Sequence, residues 1–496
     1  MDTPRRTIFA ALLAAGCGIS HALCAGGVDP LAAFVVLGQT GKGEQVALAR
    51  VLIDKAEADC PSLEPAEGKD DRRAMTPRRN PDPENFKVTV CEALYPADGS
   101  RMEVGGTSLR LPSVPAAVTR IAVFGDTGCQ PGRQKDCKKD EDWPFPAMAD
   151  AAARADPAPD LVMHLGDYNY RGTPGKISIK EDDAKDKKVR VYDAGDNTRS
   201  LTCTLAGPYY GQNSVGSESP DSWKAWKDDF FEPAAKLLST APWVFARGNH
   251  ELCSRAGPGW FYFLDPGSNL VEGGGQLACP PAESAEPLIF RSPYRVDLGG
   301  LSMVVLDSAN ACDQGNLHQG HFNAQFEQIQ SLVKDAPAAN AIWLQSHRPL
   351  WGLREPDDDT PKTDLDVSGR YAIIDKTLQS AFANYPVPKP VHLVLSGHMH
   401  RFQTIGFEPP GALPTQLIIG SGGVDLESNY PEDPFSLSIG DATAVGFGLS
   451  AFGYMDIALK GAGDWTGRML DRKGNLLVRC DSGRRSATGA CSPAGK

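Results

Sequence analysis

The stretch Trp243-Val244-Phe245-Ala246-Arg247-Gly248-Asn249-His250-Glu251 decides how this chain is read. Its four leading apolar residues have the length and character of a buried strand, and the glycine that follows permits a tight turn at the strand's end. That turn sets an amide oxygen, Asn249, beside an imidazole, His250, a pairing suited to a metal and a leaving group. The same letters also spell an ordinary polar turn. The choice rests on whether other strands of the chain end in the same way.

They do. From Arg120 onward, apolar strands alternate with helical stretches, the pattern of an α/β domain. The strands are expected over Ile121 to Phe124, Leu161 to Leu165, Trp243 to Ala246, Leu301 to Leu306, Ala341 to Leu344, Val391 to Leu395 and Leu417 to Ile419. Helices are expected over Ala147 to Arg154, Ser222 to Leu238, Phe322 to Lys334 and Ala372 to Ala383. Polar clusters follow five of the strands: Gly125-Asp126-Thr127-Gly128, Gly166-Asp167-Tyr168-Asn169-Tyr170, Gly248-Asn249-His250-Glu251, Ser346-His347 and Gly397-His398-Met399-His400. In open α/β sheets, sites form outside the carboxyl ends of strands, so residues far apart in sequence converge there. Asp, His, Asn and Tyr supply oxygen and nitrogen donors suited to iron, zinc or manganese.

Composition narrows the function classes. The 496 residues carry a formal net charge of −12, which argues against nucleic-acid scaffold binding, since that requires a basic face. Residues 1–25 read as an export signal, with Arg5 and Arg6 before the apolar run Ile8 to Ala15 and small residues around Ala22 to Ala25. The expected location is therefore periplasmic or secreted, where disulfides persist. Cys60 with Cys91, Cys129 with Cys137 and Cys480 with Cys491 are reasonable pairs, whereas Cys203, Cys253, Cys279 and Cys312 leave the pairing open. No apolar run after the signal is long enough to span a bilayer.

Residues 26–115 are read as a small β-rich N-terminal domain, with strands over Leu31 to Leu37, Gln45 to Ile53, Phe86 to Cys91 and Ser108 to Leu111. The turn Gly38-Gln39-Thr40-Gly41-Lys42-Gly43 lacks the spacing of a phosphate-binding loop and reads as a hairpin. Residues 116–482 are read as the α/β domain that carries the five clusters and would be the catalytic one. They close with a hairpin over Trp465 to Cys480 that turns at Lys473-Gly474-Asn475, and residues 483–496 are a C-terminal tail.

In this order, the five clusters resemble the purple acid phosphatase branch of the calcineurin-like metallophosphoesterase superfamily. The resemblance covers residues 120 to 480 and implies a two-sheet sandwich flanked by helices. Most of that superfamily opens with Asp-x-His; this chain has Gly128 in the histidine's place and Tyr170 three residues after the second aspartate, as the purple branch does. The resemblance assigns Asp126, Asp167, Tyr170 and His400 to iron(III). Asp167, bridging, together with Asn249, His347 and His398 would hold a divalent metal, which can be zinc, iron or manganese. Two metals can clamp both the attacking and the leaving oxygen of an in-line displacement. The implied activity is hydrolysis of a small phosphate monoester by hydroxide held on the metals, with His250 protonating the departing alkoxide. Two rivals stand beside it: a phosphodiesterase or nucleotidase with the same metals, and a secreted metal- or phosphate-binding protein without turnover.

The remaining polar residues take plainer readings. His164 and His392 lie inside apolar strands and read as core histidines, and His318 with His321 lacks a third metal ligand. Asp357-Asp358-Asp359 reads as a solvated loop. Arg171, Arg348 and Arg401 each follow a proposed ligand directly and are candidates for contact with substrate phosphate.

Overall fold

A computed structural model describes residues 30–495 apart from 41, 68–70, 131–135, 171–220, 254, 273, 281–288, 314–317, 357–369, 429–431, 462 and 485. The export signal, Arg171, Cys203 and the Asp357 to Asp359 run lie outside the described residues.

Two large sheets dominate, one of 11 strands and one of eight. At the centre of the first, Arg120–Phe124, Leu161–His164, Trp243–Phe245 and Pro30–Gln39 run parallel to one another. At the centre of the second, Leu301–Val305, Ala341–Gln345, Val391–Ser396 and Thr415–Ile419 do the same. Strands buried on both faces need apolar residues at every position, with alternate side chains serving different layers. Ile121, Val123, Leu161 and Met163 join Met303, Val305, Trp343, Leu393 and Leu395 in one core, between the sheets. Their neighbours Ala122, Phe124 and Val162 pack with Phe145, Met148, Phe230 and Leu237 of the helices on the outer face of the first sheet. Val304, Ile342, Leu344 and Val394 pack with Phe322, Phe326, Ile329 and Leu378 outside the second. The result is the expected helix-flanked sandwich.

The N-terminal region is β-rich, as read, and its long strands extend the first sheet. Pro30–Gln39 pairs with Trp243–Phe245 on one side and antiparallel with Gln45–Ile53 on the other, so the sheet runs without a break across residue 115. Among the described residues of this region, Ser62–Pro65, Arg73–Ala74 and Met102–Val104 form a separate small sheet. Met102–Val104 is the strand in this part of the chain, whereas Ser108 to Leu111 contributes a single bridge at Arg110. Buried Glu92 binds the region to the rest: it pairs with Arg50 and Arg78, whose guanidinium groups also donate to the carbonyls of Phe261, Tyr262, Phe263 and Gly267.

Two local expectations are corrected. Ala372–Ile374 is a strand paired with Gly352–Arg354, and the helix begins only at Lys376, running to Asn384. His392 lies on an outward position of its strand and is exposed, while its apolar neighbours Val391 and Leu393 are buried. His321, for its part, stacks on Phe290, with ring centroids 4.5 Å apart. His164 is a satisfied core residue: it bonds Thr127 Oγ1 through Nε2 at 2.9 Å and accepts from the Gly166 amide through Nδ1 at 3.2 Å. The expected pairs Cys60–Cys91, Cys129–Cys137 and Cys480–Cys491 form, and Cys253 pairs with Cys279. No helix among the described residues is long and apolar enough to cross a membrane.

Candidate metal centre

The site lies where the parallel strands of both sheets end. Asp126 follows Arg120–Phe124, Asp167 follows Leu161–His164, Asn249 follows Trp243–Phe245, His347 follows Ala341–Gln345, and His398 with His400 follows Val391–Ser396. Gln345, at the end of its strand in the second sheet, donates to the His164 carbonyl of the first at 2.9 Å and ties the two sheets together beneath the site.

These side chains gather into two adjoining groups. In the first, Tyr170 Oη stands 3.2 Å from each of Asp126 Oδ1, Asp167 Oδ2 and His400 Nε2. In the second, Asn249 Oδ1 lies 2.9 Å from His347 Nε2 and 2.8 Å from His398 Nδ1. The same oxygen of Asp167 that faces Tyr170 also lies 3.4 Å from His347 Nε2, so one carboxylate borders both groups. Asp126, Asp167, Tyr170, Asn249, His347 and His400 are all buried, and His398 is nearly so.

Each imidazole is oriented by the nitrogen turned away from the site. His347 Nδ1 meets the Leu165 carbonyl at 2.8 Å, His400 Nδ1 meets the Asp425 carbonyl at 3.1 Å, and His398 Nε2 meets Asp313 Oδ1 at 2.9 Å. An N–H given to an outer acceptor leaves a lone pair on the inner nitrogen, the arrangement found around metal-binding histidines. Asp425 belongs to the loop after Thr415–Ile419, a sixth strand end that carries no short motif.

The donor set fits a pair of cations. Tyr170 has one proton, yet its oxygen faces two carboxylate oxygens and an imidazole nitrogen. Burial, with Asp167 close by, raises the Asp126 carboxyl well above the usual carboxylate range. Burial and the two aspartates likewise push the Tyr170 phenol well up, so that a phenolate forms there only beside a strong positive charge. Asp167 is held well down: burial opposes its charge, but His347 and His250 overcome that.

Gly128 shows why a tyrosine serves here. A Cβ at this position would come within 2.8 Å of Tyr170 Cδ2 and 2.6 Å of the Tyr168 carbonyl oxygen, so a side chain at 128 and the ring of Tyr170 compete for the same space. Gly248 is confined in the same way, since its Cβ would run into Asp167 Oδ1. Tyr168 is engaged elsewhere: its hydroxyl donates to the Ala246 carbonyl at 2.8 Å and its ring stacks on His164.

Glu251 closes the motif from within. Its carboxylate accepts from the amides of Asp167, Tyr168 and Gly248 at 2.9, 2.9 and 3.0 Å, holding the Asp167 and Gly248 loops in register. The His250 amide donates to Asp167 Oδ1 at 2.8 Å, and its ring lies against Tyr170 with centroids 4.1 Å apart. Burial and the charge of Arg255 depress the His250 imidazolium well below its ordinary range.

A model of the calcineurin-like phosphoesterase family matches residues 119–402, more than half of the chain. The chain belongs to that family. This calcineurin-like phosphoesterase is therefore a metal-dependent phosphoester hydrolase. Its fold resembles purple acid phosphatase PPD1 from seeds of yellow lupin (Lupinus luteus), with a TM-score of 0.51 and 14% identity, covering 90% of this chain and 73% of that one. PhoD is also similar, with a TM-score of 0.49 and 13% identity over 94% of this chain and 92% of that one. Comparison with curated protein sequences gives no match.

Of the three arginines named as candidates for contact with substrate phosphate, Arg348 and Arg401 are buried. Arg348 Nη1 faces Asp313, Asp375 Oδ1 at 3.4 Å and His398 Nε2 at 2.8 Å. Arg401 has Glu432 at 3.5 Å, and Arg171 lies outside the described residues. Asp313, Asp375, Gln345 and Arg255 were not visible as site residues in the sequence, because each acts through a contact distant in the chain or outside the five motifs.

Proposed function

We propose that this phosphoesterase is an exported phosphatase that hydrolyses phosphate monoesters at a dinuclear centre of the purple acid phosphatase type. Asp126, Asp167, Tyr170 and His400 would hold iron(III); Asp167, Asn249, His347 and His398 would hold a divalent ion, zinc, iron or manganese. The observation that carries this reading is the space left by Gly128 for Tyr170, whose phenol oxygen stands 3.2 Å from three further donors. When bound, the two cations supply charge neutralisation for the phosphate and ease deprotonation of a coordinated water.

The chain's own residues have distinct parts. Asp167 sits where it can contribute to both ions, and Glu251 fixes its loop. His250, next to a proposed ligand but not needed as one, protonates the departing oxygen. The division into a catalytic unit over 116–482 and an N-terminal region over 26–115 is part of the same proposal, with the latter buttressing the sheet that carries Asp126, Asp167 and Asn249. The four disulfides found among the described residues support passage through an oxidising compartment.

Hydrolysis of aryl and alkyl phosphate monoesters, compared with the corresponding diesters on protein of known metal content, tests the assignment. Monoesters should be turned over with the higher kcat/KM. Preference for diesters would move the reading to a phosphodiesterase, and absence of turnover with both metals bound would leave a binding protein.

A further inference from the structure

Beside the centre lies a second cluster of charged side chains that the five motifs do not include. Asp313, Asp375 and His398 each place a donor atom within 4.8 Å of the others, close enough to hold a cation. The cation there is supplied by the chain: Arg348 Nη1 pairs with Asp313, lies 3.4 Å from Asp375 Oδ1, and stands 2.8 Å from His398 Nε2. Asp375 is fully buried and sits at a positive φ of 70° in the turn between Ala372–Ile374 and the helix Lys376–Asn384. Asp313 is fixed to the same turn through its carbonyl, which accepts from the Lys376 amide at 3.0 Å. A strand, a turn and a loop thus meet behind His398.

His398 Nε2 has two neighbours with opposite demands. Asp313 Oδ1, at 2.9 Å, can only accept a proton as a carboxylate, whereas the Arg348 guanidinium can only donate one. Donation from Nε2 to Asp313 puts the ring proton on the outer nitrogen and leaves the Nδ1 lone pair facing Asn249 Oδ1 at 2.8 Å. Acceptance from Arg348 would put the proton on Nδ1 and close that nitrogen to a cation. His347 and His400 face no such choice, since each meets a backbone carbonyl, which only accepts.

We propose that Asp313 is a positioning residue that selects the His398 tautomer able to bind the divalent metal, with Arg348 holding Asp313 in place. The inference rests on the dinuclear reading above. It makes Arg348 part of the support for the centre and removes it from the substrate contacts.

The test uses the full-length protein, with iron and zinc content measured by elemental analysis, zinc affinity by chelator competition, and the visible spectrum as a report on the iron side. Asp313→Ala should weaken zinc binding about 10–100-fold, as outer-sphere substitutions at metal sites commonly do, while iron content and spectrum stay unchanged. Asp375 lies near enough to Arg348 to take over its charge, which favours folding of this variant. Asp313→Asn, similar in shape but without the charge, should fall between Asp313→Ala and wild type and serves where Asp313→Ala does not fold. Asp375→Asn, which leaves Asp313 in place, should keep wild-type zinc affinity. Wild-type zinc affinity in Asp313→Ala or in Asp313→Asn overturns the proposal, as does equal loss of both metals in Asp313→Ala and Asp375→Asn. A wild-type protein that binds no metal pair overturns the dinuclear reading instead, so the two failures are distinguishable.

Discussion

Gly128→Ala is expected to damage the proposed iron side of the centre through a single methyl group. The added Cβ would lie 2.6 Å from the Tyr168 carbonyl oxygen and 2.8 Å from Tyr170 Cδ2, whereas ordinary contact begins at 3.4 Å, so it is short by about 0.8 and 0.6 Å. The carbonyl is the less able to yield, because the Tyr168 amide is held by Glu251 and its side chain is buried against His164. Most of the adjustment therefore falls on the Tyr170 ring. A shift on the order of 0.5 Å already exceeds the tolerance of a preorganised site. Overpacking of this kind costs about 1–3 kcal/mol, and iron retention should weaken about 10–100-fold. Gly320→Ala is the control, since its Cβ meets nothing within 4 Å and it lies in a helix, where alanine is preferred. Denaturation midpoints, iron content and the visible spectrum are the readouts. Gly128→Ala with undiminished iron, colour and stability would refute the claim that residue 128 must stay bare for Tyr170 to reach its place.

Other substitutions probe separate parts of the account. His250→Ala should retain both metals and lower kcat by about 10²–10⁴-fold for substrates with poor leaving groups, much less for good ones; kinetics across a series of aryl phosphates checks this, and an effect independent of leaving-group pKa would assign His250 another role. Asn249→Ala and His347→Ala should each release the divalent ion before iron, as followed by elemental analysis; equal loss of both ions would contradict the ligand assignment. Glu92→Gln should destabilise the fold by about 3–5 kcal/mol in urea titrations, because Arg50 and Arg78 would stay buried without their counter-charge. Burial alone would raise the Glu92 carboxyl, but Arg50 and Arg78 hold it below its usual range. Its contribution is therefore present at neutral pH and lost as pH falls from the ordinary glutamate range through the lowered value, and the gap between wild type and Glu92→Gln should shrink in acid.

The proposed ligands were legible in the sequence because each stands directly after an apolar strand, where a short motif and the geometry of parallel sheets carry the same information. Tyr170 was legible only in company with Gly128, as a tyrosine gained and a histidine missing. The sequence did not reveal how far the first sheet extends: Val36 pairs with Trp243, and nothing local to either residue announces it. The stretch Ala372 to Ala383 reads as one helix by composition, but Ala372–Ile374 is captured by Gly352–Arg354, and Asp375 turns the chain before the helix starts. His392 is exposed because it takes an outward position on a strand whose other five residues are buried. Asp313 and Gln345 show the same limit from the functional side: their partners, His398 and His164, lie 85 and 181 residues away.

The central claim is that Tyr170 binds iron(III) as a phenolate in a dinuclear centre. Metal analysis combined with the visible spectrum of the purified protein, wild type beside Tyr170→Phe and Tyr168→Phe, tests it most directly. Two metal ions per chain, one of them iron, with a visible charge-transfer band that disappears in Tyr170→Phe and persists in Tyr168→Phe, is the predicted result. An active wild-type protein that contains stoichiometric iron(III) and has no such band would contradict it.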